Sequence, residues 1–304
     1  MLRLLVRLMS VTLLLCPAGL LAALAAGLLS GNEAPLLVFV NYPPGRLYGN
    51  LYALDVARGI SVRLAVGIPP YDGSLALTSD GSRLAYADID RNDYEIYALD
   101  LMQRHPDGRR ARALTDNDEQ DLYPAWSPDA QLIAFSAYRG GQYDLHVIDM
   151  RTGEESALTN DMVVEFVPVW SPDGSQIAFC GIVDERGWGV HVLDIQQGYA
   201  RRVADVSSTV LISWSPDGSG LLFTLTNGAG LYYLDLATRA LTLLSTVIRP
   251  GSSGAPQYTP DGAQIVVPSD HEGVYGIYLL NADGSGARRI TFTTGLDAAA
   301  MWLP

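Results

Sequence analysis

The chain has 304 residues, 48% of them hydrophobic, and a formal net charge of -13. All 20 basic residues are arginine, and without Arg3 and Arg7 of the N-terminal segment 18 bases face 33 acids, a net of -15. A surface of that sign repels phosphate backbones and excludes nucleic acid as a partner, while it suits solubility or the attraction of cations and basic proteins.

Residues 1–30 read as a targeting or anchoring segment. Arg3 and Arg7 form a short basic region, and Leu8 to Leu29 is a run of 22 residues without charge. About 20 apolar residues suffice to span a bilayer. The run is longer than the apolar core of an ordinary cleaved signal, yet Ala23-Leu24-Ala25 offers a small-x-small cleavage site. Signal peptide and uncleaved membrane anchor both remain open. In either case the basic end stays in the cytoplasm and the rest is exported, to the periplasm or beyond, so membrane contact is expected only through this segment. Lipoprotein processing at Cys16 is a weaker option, because Leu13-Leu14-Leu15 lacks a small residue ahead of the cysteine. The other cysteine, Cys180, lies in an expected buried strand, so no internal disulfide is predicted for the exported domain.

Beyond this segment a five-residue turn recurs. Trp170-Ser171-Pro172-Asp173-Gly174 is repeated letter for letter at Trp214 to Gly218, with one change at Trp126-Ser127-Pro128-Asp129-Ala130 and two at Tyr258-Thr259-Pro260-Asp261-Gly262. Leu77-Thr78-Ser79-Asp80-Gly81 is a more divergent copy. Asp80, Asp129, Asp173, Asp217 and Asp261 stand 49, 44, 44 and 44 residues apart, a period that marks a repeat architecture. In each turn Pro presets φ, Asp bonds to nearby backbone amides, and Gly takes positive φ.

Each repeat reads as four strands, A to D. Strand A ends at the Trp. Strand B is an apolar run such as Leu132-Ile133-Ala134-Phe135. Strand C ends in an acid or amide, at Asp100, Asp149, Asp194, Asp235 and Asn281, which lie 20, 20, 21, 18 and 20 residues past the turn aspartates. Strand D is short, as in Arg112-Ala113-Leu114-Thr115. Four short strands per period fit a propeller blade. The two ends of the chain are complementary: residues 36–66 supply strands B, C and D, while 297–304 supply a lone strand A ending Met301-Trp302-Leu303-Pro304. The expected fold is all-β, a six-bladed propeller over residues 36–304. Blade 1 combines 36–66 with 297–304, and blades 2–6 lie at about 71–116, 121–160, 165–205, 209–246 and 253–293. Pairing of the last strand with the first blade closes the ring and hides its edges.

The pattern Asp121-x-x-Pro124-x-Trp126-Ser127-Pro128-Asp129, through Ile148-Asp149 to Ala157-Leu158-Thr159, resembles the WD-like repeat of TolB-type propellers. The resemblance covers about residues 36–304 and implies the fold. The anchor runs straight into strands, so it implies a propeller without the N-terminal α/β domain that TolB carries. Propellers host many unrelated activities, so the fold implies no single function.

The chain contains no Gly-x-Ser-x-Gly elbow, His-Glu-x-x-His pair or phosphate loop. His146 and His191 share a strand C slot with Tyr52, Tyr97, Tyr232 and Tyr278, which marks a packing position. The repeated tryptophans read as blade-to-blade packing. Trp188 falls outside the pattern, in an expected B–C turn, and is a candidate contact residue. Asp88-Ile89-Asp90-Arg91-Asn92-Asp93 starts like a calcium loop but lacks its later glycine and glutamate, so it reads as a solvated turn. Five residues before each Trp-equivalent stand Asp72, Asp121, Glu165, Thr209, Ser253 and Asp297. Asp72, Asp121, Glu165 and Asp297 are therefore the candidate ligand-binding residues, a carboxylate ring at one mouth of the channel that could take Ca²⁺ or a basic group. The competing reading has each acid bonded to loop groups of its own or a neighbouring blade. No cofactor is otherwise expected. The leading functional expectation is an exported, non-enzymatic scaffold of the cell envelope that binds another envelope protein, a basic peptide or a cation. The alternative is a propeller hydrolase or lyase with a cation at the acidic mouth.

Overall fold

The computed structural model describes residues 36–69, 75–90, 93–101, 111–160, 164–182, 185–208, 210–225, 230–246, 254–273 and 275–303. Segment 1–30, Asp72, Thr209, Ser253 and His105 lie outside the described residues. Among the described residues all regular structure is strand, apart from one 3-10 turn at His271–Gly273.

The chain enters β1 (Leu36–Tyr42), β2 (Gly49–Asp55) and β3 (Ile60–Ile68). Next come β4 (Ala76–Leu77), β5 (Arg83–Asp90), β6 (Asp93–Asp100) and β7 (Ala111–Ala113), then β8 (Asp121–Trp126), β9 (Leu132–Arg139), β10 (Gln142–Asp149) and β11 (Glu155–Ala157). They are followed by β12 (Val164–Trp170), β13 (Gln176–Ile182), β14 (Trp188–Asp194) and β15 (Tyr199–Asp205), and by β16 (Ile212–Trp214), β17 (Gly220–Leu225), β18 (Gly230–Asp235) and β19 (Leu241–Ser245). The last set is β20 (Gln257–Tyr258), β21 (Gln264–Ser269), β22 (Gly276–Asn281) and β23 (Arg288–Arg289), before a final β24 (Leu296–Leu303).

Each set is an antiparallel meander. The sets β8–β11 and β12–β15 merge into one eight-stranded sheet through a single parallel bridge, Tyr143 to Val164. The four-stranded blades of a β-propeller result. β24 lies against β1 in the order β24-β1-β2-β3, with Leu37 opposite Trp302 and Asn41 opposite Asp297. Strand C ends at the predicted acid or amide in every set.

The turn between strands A and B is built as the sequence predicts. In its third copy the Gly174 amide donates to the Ser171 carbonyl (2.9 Å), the Ser171 hydroxyl donates to Asp173 (2.6 Å), and the Ser175 amide donates to the same carboxylate (3.0 Å). These bonds favour the ionised form. The hydroxyl of Ser or Thr first, then the backbone amide, holds all five turn carboxyls below the usual range, with Asp217 at about 2.

The core lies between blades. Phe39, Phe135, Phe179 and Phe223 on strand B are fully buried. The predicted packing slot on strand C stacks on them or their equivalents: Tyr52 on Phe39 at 5.6 Å, Tyr97 on Tyr86 at 5.8 Å, His191 on Phe179 at 5.2 Å, Tyr232 on Phe223 at 6.4 Å. The tryptophans bridge blades, since Trp170 Nε1 donates to the Ala125 carbonyl (3.2 Å) and Trp214 Nε1 to that of Val169 (3.0 Å). Cys180 is buried, and burial pushes its thiol up to about 12. Among the described residues no helix is long and apolar enough to cross a membrane.

Candidate functional site

The strand A segments β4, β8, β12, β16, β20 and β24, or residues directly beside them, line one cavity of about 240 Å³. Its lining side chains are mostly apolar, with Leu77, Val169, Leu211, Ile212 and Met301 among them, while polar atoms make up about half of the surface that the wall exposes. Strand A starts at the end of the blade where strand B stops and strand C begins, so the described ends of the B–C hairpins lie toward this end of strand A.

Strand A is not regular. Asp121 and Leu122 pair with Ala137 and Ser136, but Ala125 pairs with Ala134, so Tyr123 and Pro124 together oppose Phe135. The same bulge puts Val167 and Pro168 opposite Phe179, and Ala299 and Ala300 opposite Phe39. Tyr123, Val167 and Ala299 take the left-handed conformation, with φ of 56°, 58° and 52°. That conformation strains any residue with a Cβ, and a β-branched one most. Proline is tolerated at the next position because a bulge leaves a residue out of the ladder.

The bulge decides where the predicted acids point. One extra residue changes the parity of the strand, so the acid five positions before the Trp falls on the same face as that Trp, between blades. Asp121, Glu165 and Asp297 are all 0% exposed. Glu165 accepts from the Leu145 amide of the preceding blade (2.9 Å) and from the Thr159 hydroxyl. Asp297 accepts from Asn41 on β1 (2.9 Å) and from the Thr293 hydroxyl. Asp121 accepts from Asn117 Nδ2 (2.9 Å) and pairs with Arg139 (2.8 Å), while burial pushes its carboxyl up against the opposing pull of that arginine. The described acids thus hold strand A to loops and strands of their own and the adjacent blade. Among the described residues no group of three or more His, Cys, Asp and Glu side chains is placed to hold a metal ion.

Two residue sets escaped the sequence reading. Glu95 on strand C is 2% exposed and accepts from the Asn117 amide (2.7 Å), and burial pushes its carboxyl up, with nearby Asp121 adding to the rise. Arg139 gathers Asp121, Glu155 (3.0 Å) and Glu119 (3.9 Å), and Glu155 also meets His146 Nδ1 (2.6 Å). The bond from His146 is the main cause that holds Glu155 low. Trp188 does not sit in a turn. It opens β14, opposite Ile182, half-buried and stacked on Phe166 at 6.2 Å. Of the 88–93 acid run, residues 88–90 end β5 and Asp93 opens β6.

The model of the TolB beta propeller domain matches residues 77–230, half of the chain. The chain belongs to the TolB β-propeller family. Among its relatives are the Tol-Pal system proteins TolB of Alkalilimnicola ehrlichii, 30% identical over 81 residues, and of Anaeromyxobacter dehalogenans, 30% identical over 123 residues. These matches cover 26% and 38% of this chain but only 18% and 28% of the relatives. In three dimensions the chain resembles TolB from Acinetobacter baumannii, with a TM-score of 0.72, 18% identity, and coverage of 94% of this chain and 70% of the other. A putative TolB from Agrobacterium tumefaciens aligns with a TM-score of 0.64 and 15% identity over 90% of this chain and 100% of its own. At such identities the likeness concerns the fold.

Proposed function

We propose that this chain is an exported, non-enzymatic binding scaffold of the cell envelope. In this reading the propeller has six blades with the boundaries expected from the sequence, closed by β24 on β1, and it takes a partner protein at the mouth of the axial cavity and its surrounding loops. The observation that carries the reading is the chemistry of the cavity wall. Strand A presents mostly apolar side chains to the cavity, while Asp121, Glu165 and Asp297 do not line it and are buried against groups of their own and the adjacent blade. Such a wall, with apolar side chains beside exposed polar groups, suits a docked protein segment that offers both apolar side chains and backbone hydrogen bonds. Export is supported by the basic and apolar run at the N-terminus, and an envelope partner by the Tol-Pal name of the matched relatives.

Site-specific photo-crosslinking in intact cells tests it. A photoreactive residue at Tyr123 or Leu211, which line the cavity, is expected to give a discrete adduct, and one at Thr242 on the exposed outer strand β19 none. Adducts from Thr242 alone, or equally from all three positions, would overturn the reading.

A further inference from the structure

At the tips of the B–C hairpins, large apolar residues pair across the strands in three successive blades: Ile89 with Tyr94, Tyr138 with Tyr143, and Ile182 with Trp188. Strand C is anchored farther in by the fully buried Ile96, Leu145 and Val190, while Tyr94 and Trp188 touch the core only at its margin. The rings run on from blade to blade. Tyr138 stands 5.0 Å from Tyr143, Tyr143 is 4.6 Å from Phe166 at the start of the next strand A, and Phe166 is 6.2 Å from Trp188. Tyr123, on the cavity wall, meets Phe166 edge-on at 5.7 Å and joins the arc to the mouth. The arc is not sealed from water: Tyr138 is 37% exposed, and Tyr143 and Trp188 are half-buried.

Its surroundings are acidic at the Tyr138 end, while at the Trp188 end Arg202 donates to the Gly187 and Trp188 carbonyls and is paired with Asp205 (2.7 Å). The loop 116–120 is fastened to the arc, since the Gln120 carbonyl accepts from the Tyr138 amide (2.8 Å) and the Gln120 side chain from the Tyr143 hydroxyl. That loop holds Asp116 and Asp118 exposed and Glu119 half-exposed, with Glu119 3.9 Å from Arg139 at the hairpin tip. Arg139, at the hairpin tip, is already engaged by Asp121, Glu155 and Glu119. Aromatic faces rimmed by carboxylates attract guanidinium and ammonium groups, by cation–π contact over the rings and by charge at the rim.

We infer that this aromatic arc is a docking surface for a cationic peptide segment of the partner, one carrying several arginine or lysine side chains. The inference rests on the reading of the propeller as a scaffold that binds protein at this end, and it names the chemistry of the partner. Fluorescence anisotropy with a labelled decapeptide of alternating arginine and glycine tests it, beside a neutral peptide of alternating glutamine and glycine. The expected result is saturable binding of the cationic peptide that weakens with added salt, and about tenfold weaker binding to Tyr138→Ser/Trp188→Leu. Asp118→Asn/Glu119→Gln, which leaves the rings in place, should lose affinity mainly at low salt, whereas Leu241→Ser on the outer edge should bind as the wild type does. No binding to the wild type, equal binding of the neutral peptide, or affinity unchanged in both double variants would overturn the inference. If crosslinks still form at Tyr123 and Leu211 in that case, the scaffold reading stands and only the partner chemistry is wrong. If the peptide binds through the arc and no crosslinks form, the opposite holds.

Discussion

The fifth residue of the repeated turn permits a direct test of backbone strain. It is glycine in four copies, Gly81, Gly174, Gly218 and Gly262, with φ of 69° to 73°, and alanine in one, Ala130, with φ 56°. A left-handed alanine costs about 1–2 kcal/mol. Replacing it by glycine returns that energy but adds roughly 0.5–1 kcal/mol of chain entropy to the unfolded state. The Ala130 methyl also packs beside the Ala85, Trp126 and Ile133 cluster, and losing a half-buried methyl gives up about 0.4 kcal/mol. Ala130→Gly is therefore expected to be mildly stabilising, by a few tenths of a kcal/mol. Gly174→Ala runs the other way. A Cβ there would meet only the Pro128 ring, at 3.6 Å from Cδ, an ordinary contact, so the cost is the strain of about 1–2 kcal/mol less the entropy that alanine removes from the unfolded chain, a net of about 0.5–1 kcal/mol. At about 2–4 °C per kcal/mol for a chain of this size, Gly174→Ala should lower Tm by roughly 2 °C and Ala130→Gly should raise it slightly. Scanning calorimetry on both variants decides. A lower Tm for Ala130→Gly together with an unchanged Gly174→Ala would refute the strain argument.

Further outcomes are expected. Because burial raises the Glu95 carboxyl, the folded state holds its proton to higher pH than the unfolded chain, and stability falls as pH rises above the ordinary glutamate range. Glu95→Gln should be more stable than wild type at neutral pH and lose that advantage below about pH 4, as read by urea unfolding across pH. The turn carboxyls have the opposite sign. Their contribution is present above the ordinary aspartate range and is lost as pH falls toward about 2, so Asp217→Asn should lose less stability over that interval in the same titration. Asn41 donates to Asp297, Thr293 and the Thr294 carbonyl at the junction of β1 and β24, so Asn41→Ala should cost about 1–3 kcal/mol in denaturant unfolding. Deleting residues 297–304 removes nearly all of β24, including Ala298, Met301 and Leu303 from the core around β1, and should abolish the cooperative thermal transition. A truncated chain with an unchanged Tm would refute the pairing of the two ends.

The sequence by itself determined the repeat, its phase and its turns. A strand of fixed period bounded by Ser-Pro-Asp-Gly is a local matter, decided by φ preferences and by hydrogen bonds within a few residues. That is why strand C ends where its acid stands and why the His146 and His191 slot was legible as packing. The acids were another matter. Counting five residues back from each Trp gives their height along strand A but not the face they take, because the count passes through a bulge. Tyr123, Val167 and Ala299 carry no local mark of a left-handed conformation; strand B, with a buried Phe opposite each bulge, imposes it. Only the tertiary structure therefore turned Asp121, Glu165 and Asp297 in between the blades. It also joined Trp188, which the sequence marked as outside the repeat, to Phe166 and Tyr143, which it did not, because contact between neighbouring blades brings together side chains more than twenty residues apart.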